Sequence, residues 1–424
     1  MPFATQSVPA VNNTAPSSRR KTLFLIYGAA LLTRLLAMWS TITTHSHTWF
    51  FSRPWEMGLL AASLLHHQGY SSPFGHPTGP TAFIAPGYPT MIAGVFAIFG
   101  IGTFASALVI MSMQIGLALV TIWVIMHVAR TIFDERSATV AGAFWAVSPP
   151  LLFIPEIFWE TSFSACFIIG SIALALHIRN SPTLPAWIGF GACCAVMTLI
   201  NPALLFSLLA IFAWLAWQTR SRSGKAPLLG LLTLAVMFSP WPIRNAYRFH
   251  AFIPLRSTVG FELWMGNRPG SNGRLDESVF PMFNEHELAR YVEKGEVAYI
   301  REKSAAAWAY INSHRGWFID MTARRIVRFW SGTGNQNSSL AFPIHALLTT
   351  CFGFAGLVLA WRRGQPDFVA LAALPLLLFP VPYYITHAEF RYRLNIDPLL
   401  TVLAAYAITQ LFGRIQSSDR VTML

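Results

Sequence analysis

Long uncharged apolar runs recur along this chain of 424 residues, and their lengths set its architecture. A polar stretch, 1–18, rich in Pro, Ser, Thr and Asn, reads as a disordered tail. Arg19, Arg20 and Lys21 follow, then an apolar run from Thr22 to about Thr44 that reads as a signal anchor. Further runs lie at 104–129, 137–155, 161–178, 180–219, 226–243, 341–361, 368–388 and 398–413. A helix needs about 20 residues to cross a hydrocarbon core about 30 Å thick. The run 180–219 is twice that length and predicts two helices, with the turn near Asn201-Pro202. The expected spans are 22–43, 104–129, 138–154, 161–178, 184–200, 202–219, 226–241, 341–361, 368–386 and 396–413.

Short basic loops set the sides of the membrane. The strongest is Arg220-Ser-Arg222-Ser-Gly-Lys225; the others are Arg130 to Arg136, Arg179, Arg362-Arg363 and Arg414 to Arg420. All of them fall in the cytoplasm, with both termini, provided that the segment 86–101 does not cross. That segment is about 24 Å long as a helix and reads as re-entrant or interfacial. The expected organisation is a cytoplasmic tail 1–21, a transmembrane module 22–241 with a first outer loop 44–103, an extracytoplasmic loop domain 242–340, C-terminal helices 341–413 and a tail 414–424. Within the loop domain, Asn284 to Tyr310 has the pattern of a helix. The fold class is an all-α polytopic membrane protein.

Composition agrees. Hydrophobic residues make up 54% and charged residues 11%, against about 25% charged in an average soluble domain. This excludes a soluble enzyme, a disordered chain and a disulfide scaffold. The net charge of +12 sits mainly in the short loops and needs no nucleic acid to explain it. Cys166, Cys193, Cys194 and Cys351 all lie in apolar runs and read as inert.

Acidic residues beside membrane helices are costly unless they pair or work. Six flank the outer side: Glu56, Glu156, Glu160, Glu262, Glu389 and Asp397. Their gathering on one side predicts one outward-facing site. Glu56 opens a short amphipathic stretch through Met57, Leu60, Ala61, Leu64 and Leu65, which reads as a juxtamembrane helix lying flat. A first-turn Glu also serves a helix dipole. Glu156 and Glu160 share a face if the stretch between them is helical. Arg34 lies mid-run in the first span and is expected to pair inside the bundle or to snorkel.

Several short motifs, in order, resemble the GT-C glycosyltransferases. The nearest relatives in that superfamily are the protein O-mannosyltransferase-like and aminoarabinose-transferase-like enzymes, which use polyprenyl-phosphate sugars. The motifs are Glu56 after the first span, Gly69-Tyr-Ser, Pro86-Gly-Tyr88-Pro89, Pro155-Glu156-Ile-Phe-Trp-Glu160 and Trp241-Pro-Ile-Arg244-Asn245. Phe261-Glu262-Leu-Trp-Met-Gly266-Asn267, Gly295-Glu296, Arg325-Ile-Val-Arg328-Phe-Trp330, His387-Ala-Glu389-Phe-Arg391-Tyr392-Arg393 and Asp397-Pro398 complete the series. The resemblance covers about residues 20–413. Two features depart from it: the superfamily usually has Asp where Glu56 stands, and Pro-Pro-Leu-Tyr where Pro86-Gly-Tyr88-Pro89 stands.

The resemblance implies a GT-C bundle of about ten helices in the plasma (inner) membrane, with its site outside. It implies transfer of a sugar, with inversion, from a polyprenyl phosphate to a glycan, lipid or protein acceptor. The acceptor must lose a proton as it attacks, and a carboxylate can take it. Glu56 is the base candidate, with Glu156 and Glu160 beside it. Lipid phosphate needs cations, and Arg offers a bidentate fork. Arg391, Arg393 and Arg244, with His387, are the phosphate candidates, although such arginines also simply snorkel. Tyr88, Asn245, Glu262 and Asn267 are the further substrate-binding candidates. His45, His47, His66, His67 and His76 crowd the first outer loop without diagnostic metal spacing. No metal or other cofactor is expected, since superfamily members with monophosphate donors generally use none. The rival expectation is a transporter or flippase of lipid-linked sugars. No internal repeat favours that alternative, and the charges lie at the rim rather than the midplane.

Overall fold

The structure is a computed structural model that describes residues 16–45, 56–333 and 339–421, with side chains from 19 to 412 within these ranges. The expected tail up to residue 15, His47 and the last three residues fall outside the described residues. Among the described residues every regular element is helical; the one β contact is an isolated bridge between Ser71 and Pro80.

The chain begins with α1 (Pro16–Thr44), α2 (Glu56–Leu65), α3 (Gly87–Phe99), α4 (Phe104–Ile132) and α5 (Glu135–Val147). A short α6 (Pro149–Leu152) and a 3-10 turn (Ile154–Glu156) lead to α7 (Thr161–Asn180) and α8 (Leu184–Ile200). Then come α9 (Leu205–Thr219), α10 (Ala226–Phe238), α11 (Pro240–Phe249) and α12 (Val259–Gly266). The following segment adds α13 (Glu285–Lys294), α14 (Glu296–Ser313) and α15 (Arg315–Ser331). The chain closes with α16 (Ala341–Arg362), α17 (Pro366–Leu378), α18 (Val381–Ile385), α19 (Phe390–Arg393) and α20 (Asp397–Val421).

Seven helical segments are long and apolar enough to cross a membrane: 19–44, 104–132, 161–180, 202–219, 226–249, 341–362 and 366–385. The α5 segment with 149–156 makes an eighth, bent by 66°. Helices 184–200 and 397–412 are apolar but shorter. Every expected span is therefore helical, though 138–154 is not straight. Pro149 and Pro150 lack the N–H groups that would continue α5, so the chain turns at Ser148. Arg34 meets this break. Its guanidinium donates to the carbonyls of Ala146 (2.9 Å) and Trp145 (3.2 Å), the last, unpaired acceptors of α5. Elsewhere small residues bring helices together: a Cβ at Gly191 would lie 1.9 Å from the Gly230 carbonyl oxygen, so α8 and α10 touch backbone to backbone.

The basic loops gather at one end. Arg19 and Arg130 pair with Glu135, and Arg179 pairs with Asp367. Arg222 donates to the Arg179 carbonyl (2.6 Å), and Gln365 to that of Ile132 (3.0 Å). Helix α4 runs from this end to Phe104 at the other. Helix α3 has 13 residues, or about 20 Å, too short to cross. Both its ends therefore stand opposite the basic loops. Cysteine labelling checks this: positions 72 and 102 should react only from the outside, and positions 134 and 222 only from the cytoplasm. Reaction of position 102 from the cytoplasm would reverse the assignment of α3.

The segment 242–340 corrects one expectation. The stretch 284–310 is two helices, because Gly295 has φ of 73°, a conformation that ends α13 before α14 starts. Its aromatic core joins the first outer loop: Phe74 and Phe83 pack with Phe261, Phe280, Tyr291 and Tyr299. Glu296 fastens the two by accepting from Thr81 Oγ1 (2.5 Å), Ala82 N (2.8 Å) and the Tyr291 hydroxyl (2.6 Å).

Candidate functional site

Three carboxylates and one guanidinium face one another opposite the basic end. Glu56 stands in the first turn of α2, which packs through Ala61, Met57, Leu64 and Leu65 against Tyr88 and Ile92 of α3. Glu160 precedes α7, Glu262 lies on α12, and Arg391 lies on α19. Burial pushes the Glu56 carboxyl up to about 7; Arg391 opposes the rise, and neighbouring Glu262 and Glu160 add to it. Burial also raises Glu262, against the pull of Arg256 and Arg391. Burial works against the charge on Arg391, but Tyr392, Glu160 and Glu56 outweigh it, so its pKa stands above the usual value and the cation is permanent.

Arg391 lies over the Trp159 indole, its Cζ 3.7 Å from the ring centroid. Among the described residues its one hydrogen bond is to the Tyr392 hydroxyl, at 3.3 Å. The contact with the indole restricts where the guanidinium can move. Tyr392 is stacked in turn on Tyr383, with centroids 4.4 Å apart. His387 is buried, with Nε2 2.9 Å from Glu262 Oε2. Burial, Arg391, Arg325 and Arg256 push its pKa down to about 3, so it is neutral at any working pH. Tyr88, 1% exposed, acts electrostatically with Glu160, and its hydroxyl has no hydrogen-bond partner among the described residues.

Two glycines allow this convergence. A Cβ at Gly87 would meet the Leu199 carbonyl oxygen at 2.8 Å, so only Gly lets α3 start against the end of α8 and carry Tyr88 inward. A Cβ at Gly266 would lie 1.8 Å from the Thr386 carbonyl oxygen, so α12 can meet the turn that carries His387.

Other expected residues lie elsewhere. Glu156 and Glu160 do not share a helix face, because Ile157 to Trp159 leave the helical path between the 3-10 turn and α7. Glu156 turns to α1 and accepts from the Thr41 hydroxyl. Arg393 is wholly buried and points away from Arg391, to Asp397 Oδ1 at 3.1 Å. Arg244 is a clamp: it donates to the carbonyls of Thr81 (2.7 Å) and Tyr70 (2.8 Å) and lies over the Tyr70, Trp241 and Phe249 rings. Asn245 donates to the Ile253 carbonyl (3.0 Å) and accepts from Arg244 (2.9 Å). Asn267 donates to Leu263 and Ile385 carbonyls, both at 2.8 Å, and accepts from buried Arg325 (3.0 Å). Arg393, Arg244, Asn245 and Asn267 thus bond to partners other than the cluster of Glu56 and Arg391. Glu389 stands at the rim, accepting from Leu275 N at 3.1 Å. Two residues not singled out in the sequence belong to the cluster. Trp159 was visible beside Glu160; Arg256, 3.7 Å from Glu262, carried no local pattern.

Among the described residues no three His, Cys, Asp or Glu side chains converge to hold a metal ion. The arrangement can hold one anion against Arg391 and take one proton at Glu56.

Residues 78–243 match the family described as dolichyl-phosphate-mannose-protein mannosyltransferase. No curated protein matches the sequence. The fold is similar to the oligosaccharyltransferase of Archaeoglobus fulgidus in complex with zinc and sulfate, with a TM-score of 0.55, 12% identity, and 93% of this chain and 49% of that one covered. It is similar also to the same organism's AglB in complex with an inhibitory peptide and a dolichol-phosphate, with a TM-score of 0.55, 13% identity, and 96% and 52% covered. ArnT from Cupriavidus metallidurans bound to undecaprenyl phosphate aligns with a TM-score of 0.40 and 14% identity over 93% and 78% of the two chains. The chain spans about half the length of the first two structures.

Proposed function

We propose that this chain, an integral membrane protein of the GT-C superfamily, is a glycosyltransferase that moves a sugar from a polyprenyl phosphate to an acceptor outside the cytoplasm, with inversion. The observation that carries the reading is the set Glu56, Glu160 and Glu262 around Arg391 on its Trp159 platform, at the end opposite the basic loops. The dolichol-phosphate in the similar AglB structure supports the lipid class.

The acceptor hydroxyl or amine attacks the anomeric carbon as Glu56 takes its proton. The new bond to the acceptor forms on one face of the sugar while the bond to the phosphate oxygen breaks on the other. The electron pair leaves with the lipid phosphate, already a weak base, so no general acid is required. Arg391 meets the growing charge in its plane, and Arg256 is the second cation in reach of the cluster. The donor is a phosphodiester with one negative charge, which a guanidinium can balance, so this reading assigns no resident metal. Neutral His387 and the Tyr88 hydroxyl supply hydrogen bonds to the sugar, and Glu160 and Glu262 orient sugar and acceptor. An enzyme and a flippase differ in outcome: the enzyme parts the sugar from its lipid phosphate, and a flippase moves the lipid-linked sugar intact.

The test is the profile of lipid-linked sugars in membranes with and without the protein. A polyprenyl-phosphate sugar that accumulates on deletion, and that the purified protein converts to free polyprenyl phosphate only when acceptor is added, fits the reading. Movement of the lipid across vesicles without loss of its sugar would defeat it.

A further inference from the structure

The turn that carries Arg391 is held from behind by a buried polar chain that none of the chemistry above uses. Asp397, at the start of α20, lies 3.1 Å from Arg393 Nη2 through Oδ1 and 2.9 Å from His345 Nε2 through Oδ2. His345 Nδ1 lies 2.6 Å from Ser148 Oγ, at the bend between α5 and α6. Arg393 also donates to Thr349 Oγ1 at 2.5 Å. Arg393 and Asp397 are 0% exposed and His345 is 3% exposed. His345 and Thr349 belong to α16, so the chain ties α19 to three other elements. Phe390 adds an apolar anchor on the same side, with its ring 4.9 Å from Phe342 and 6.1 Å from His345.

We propose that Arg393, Asp397 and His345 are positioning residues that aim Arg391 at the donor phosphate. The proposal rests on the donor role given to Arg391 above. A four-residue helix has too few internal hydrogen bonds to fix its own rotation. Residues two apart on a helix point about 200° from each other. Locking Arg393 into the bundle therefore turns Arg391 out over Trp159. Stability alone does not call for such a chain: apolar residues of similar volume hold helices together as well as, or better than, a buried ion pair. Apolar contacts do not select one rotation of a single turn, whereas a carboxylate gripped by both a guanidinium and an imidazole does.

The paired variant Arg393→Met with Asp397→Leu removes the ion pair without leaving a lone buried charge. Binding of undecaprenyl phosphate in detergent, read by calorimetry, is compared with the wild type, along with donor KM, kcat and the pH profile of turnover. The expected result is a protein with wild-type helix content and thermal midpoint, roughly tenfold weaker binding and roughly tenfold higher donor KM. The acidic limb of its pH profile should move to higher pH, because a displaced Arg391 no longer favours ionised Glu56. His345→Gln, which keeps a hydrogen-bonding group, should fall between the two, and it carries the test alone if the paired variant does not fold. Wild-type affinity and KM in a folded variant would overturn the proposal while leaving the function intact. Failure of the wild type itself to bind undecaprenyl phosphate would remove the donor reading and this inference with it.

Discussion

Replacing Glu56 by Gln lowers turnover by about 10²–10⁴-fold, the usual worth of a general base, while the protein still inserts and still binds donor. The amide keeps the shape of the carboxyl and cannot accept the proton. In the wild type, kcat/KM rises with pH through about 7, where burial has placed the Glu56 carboxyl, because only the ionised form is a base. The limb of kcat lies at higher pH. A bound phosphate cancels part of the Arg391 charge that favours ionised Glu56, so Glu56 holds its proton more tightly in the loaded enzyme. Both limbs disappear in Glu56→Gln. Glu56→Asp retains part of the activity if the site closes by one methylene. The same shift acts on stability. The fold prefers protonated Glu56, so a penalty accrues as pH rises from the ordinary carboxyl value of 4.5 to about 7 and is complete above it. Glu56→Gln should therefore melt higher than the wild type at pH 8 and alike at pH 4. Glu156→Gln, bonded away from the cluster, should turn over normally. An inactive Glu156→Gln beside an active Glu56→Gln would move the base to the other loop.

Arg391→Ala raises donor KM and weakens binding of polyprenyl phosphate by about ten- to a hundredfold, from the roughly 1.5–3 kcal/mol of a charge-assisted hydrogen bond. Arg391→Lys recovers only part, because an ammonium cannot make the bidentate fork. Trp159→Leu should resemble Arg391→Lys. Calorimetric titration with undecaprenyl phosphate separates these outcomes, and unchanged affinity in Arg391→Ala would take Arg391 out of the phosphate site. The alanine variant also releases Glu56 from its nearest stabilising charge, so its remaining activity should peak at higher pH than that of the wild type.

The helices were legible because a membrane writes its thickness into the length of apolar runs, and the sides were legible because arginines collect at one end. Less was visible where a few residues decide direction. Pro149-Pro150 stood in plain view, yet hydropathy continued through them and concealed the bend. Spacing of four between Glu156 and Glu160 suggested a shared face that Ile157 to Trp159 remove by leaving the helix. Arg391 and Arg393 looked like a pair in the sequence, and their spacing of two is what sends them to opposite sides. Glu56, Glu160 and Glu262 were legible as rare acids at one rim. Arg256 was not, because nothing in an irregular loop marks which of its arginines folds back.

The bond between Arg34 and the end of α5 also orders events in time. Trp145 lies 111 residues after Arg34, and ribosomes add about 5–20 residues per second, so α1 leaves the ribosome roughly 5–20 s before the carbonyls that will hold its cation exist. A central arginine costs about 2.5–3.5 kcal/mol on the insertion scale. During that interval α1 cannot drift into lipid at full depth without meeting this cost. It waits at the insertion machinery, or at a tilt that lets Arg34 reach water, until α5 is delivered. A nascent chain stalled just before residue 145 should therefore keep α1 cross-linkable to the translocon, and one stalled well beyond the bend at Ser148 should release it.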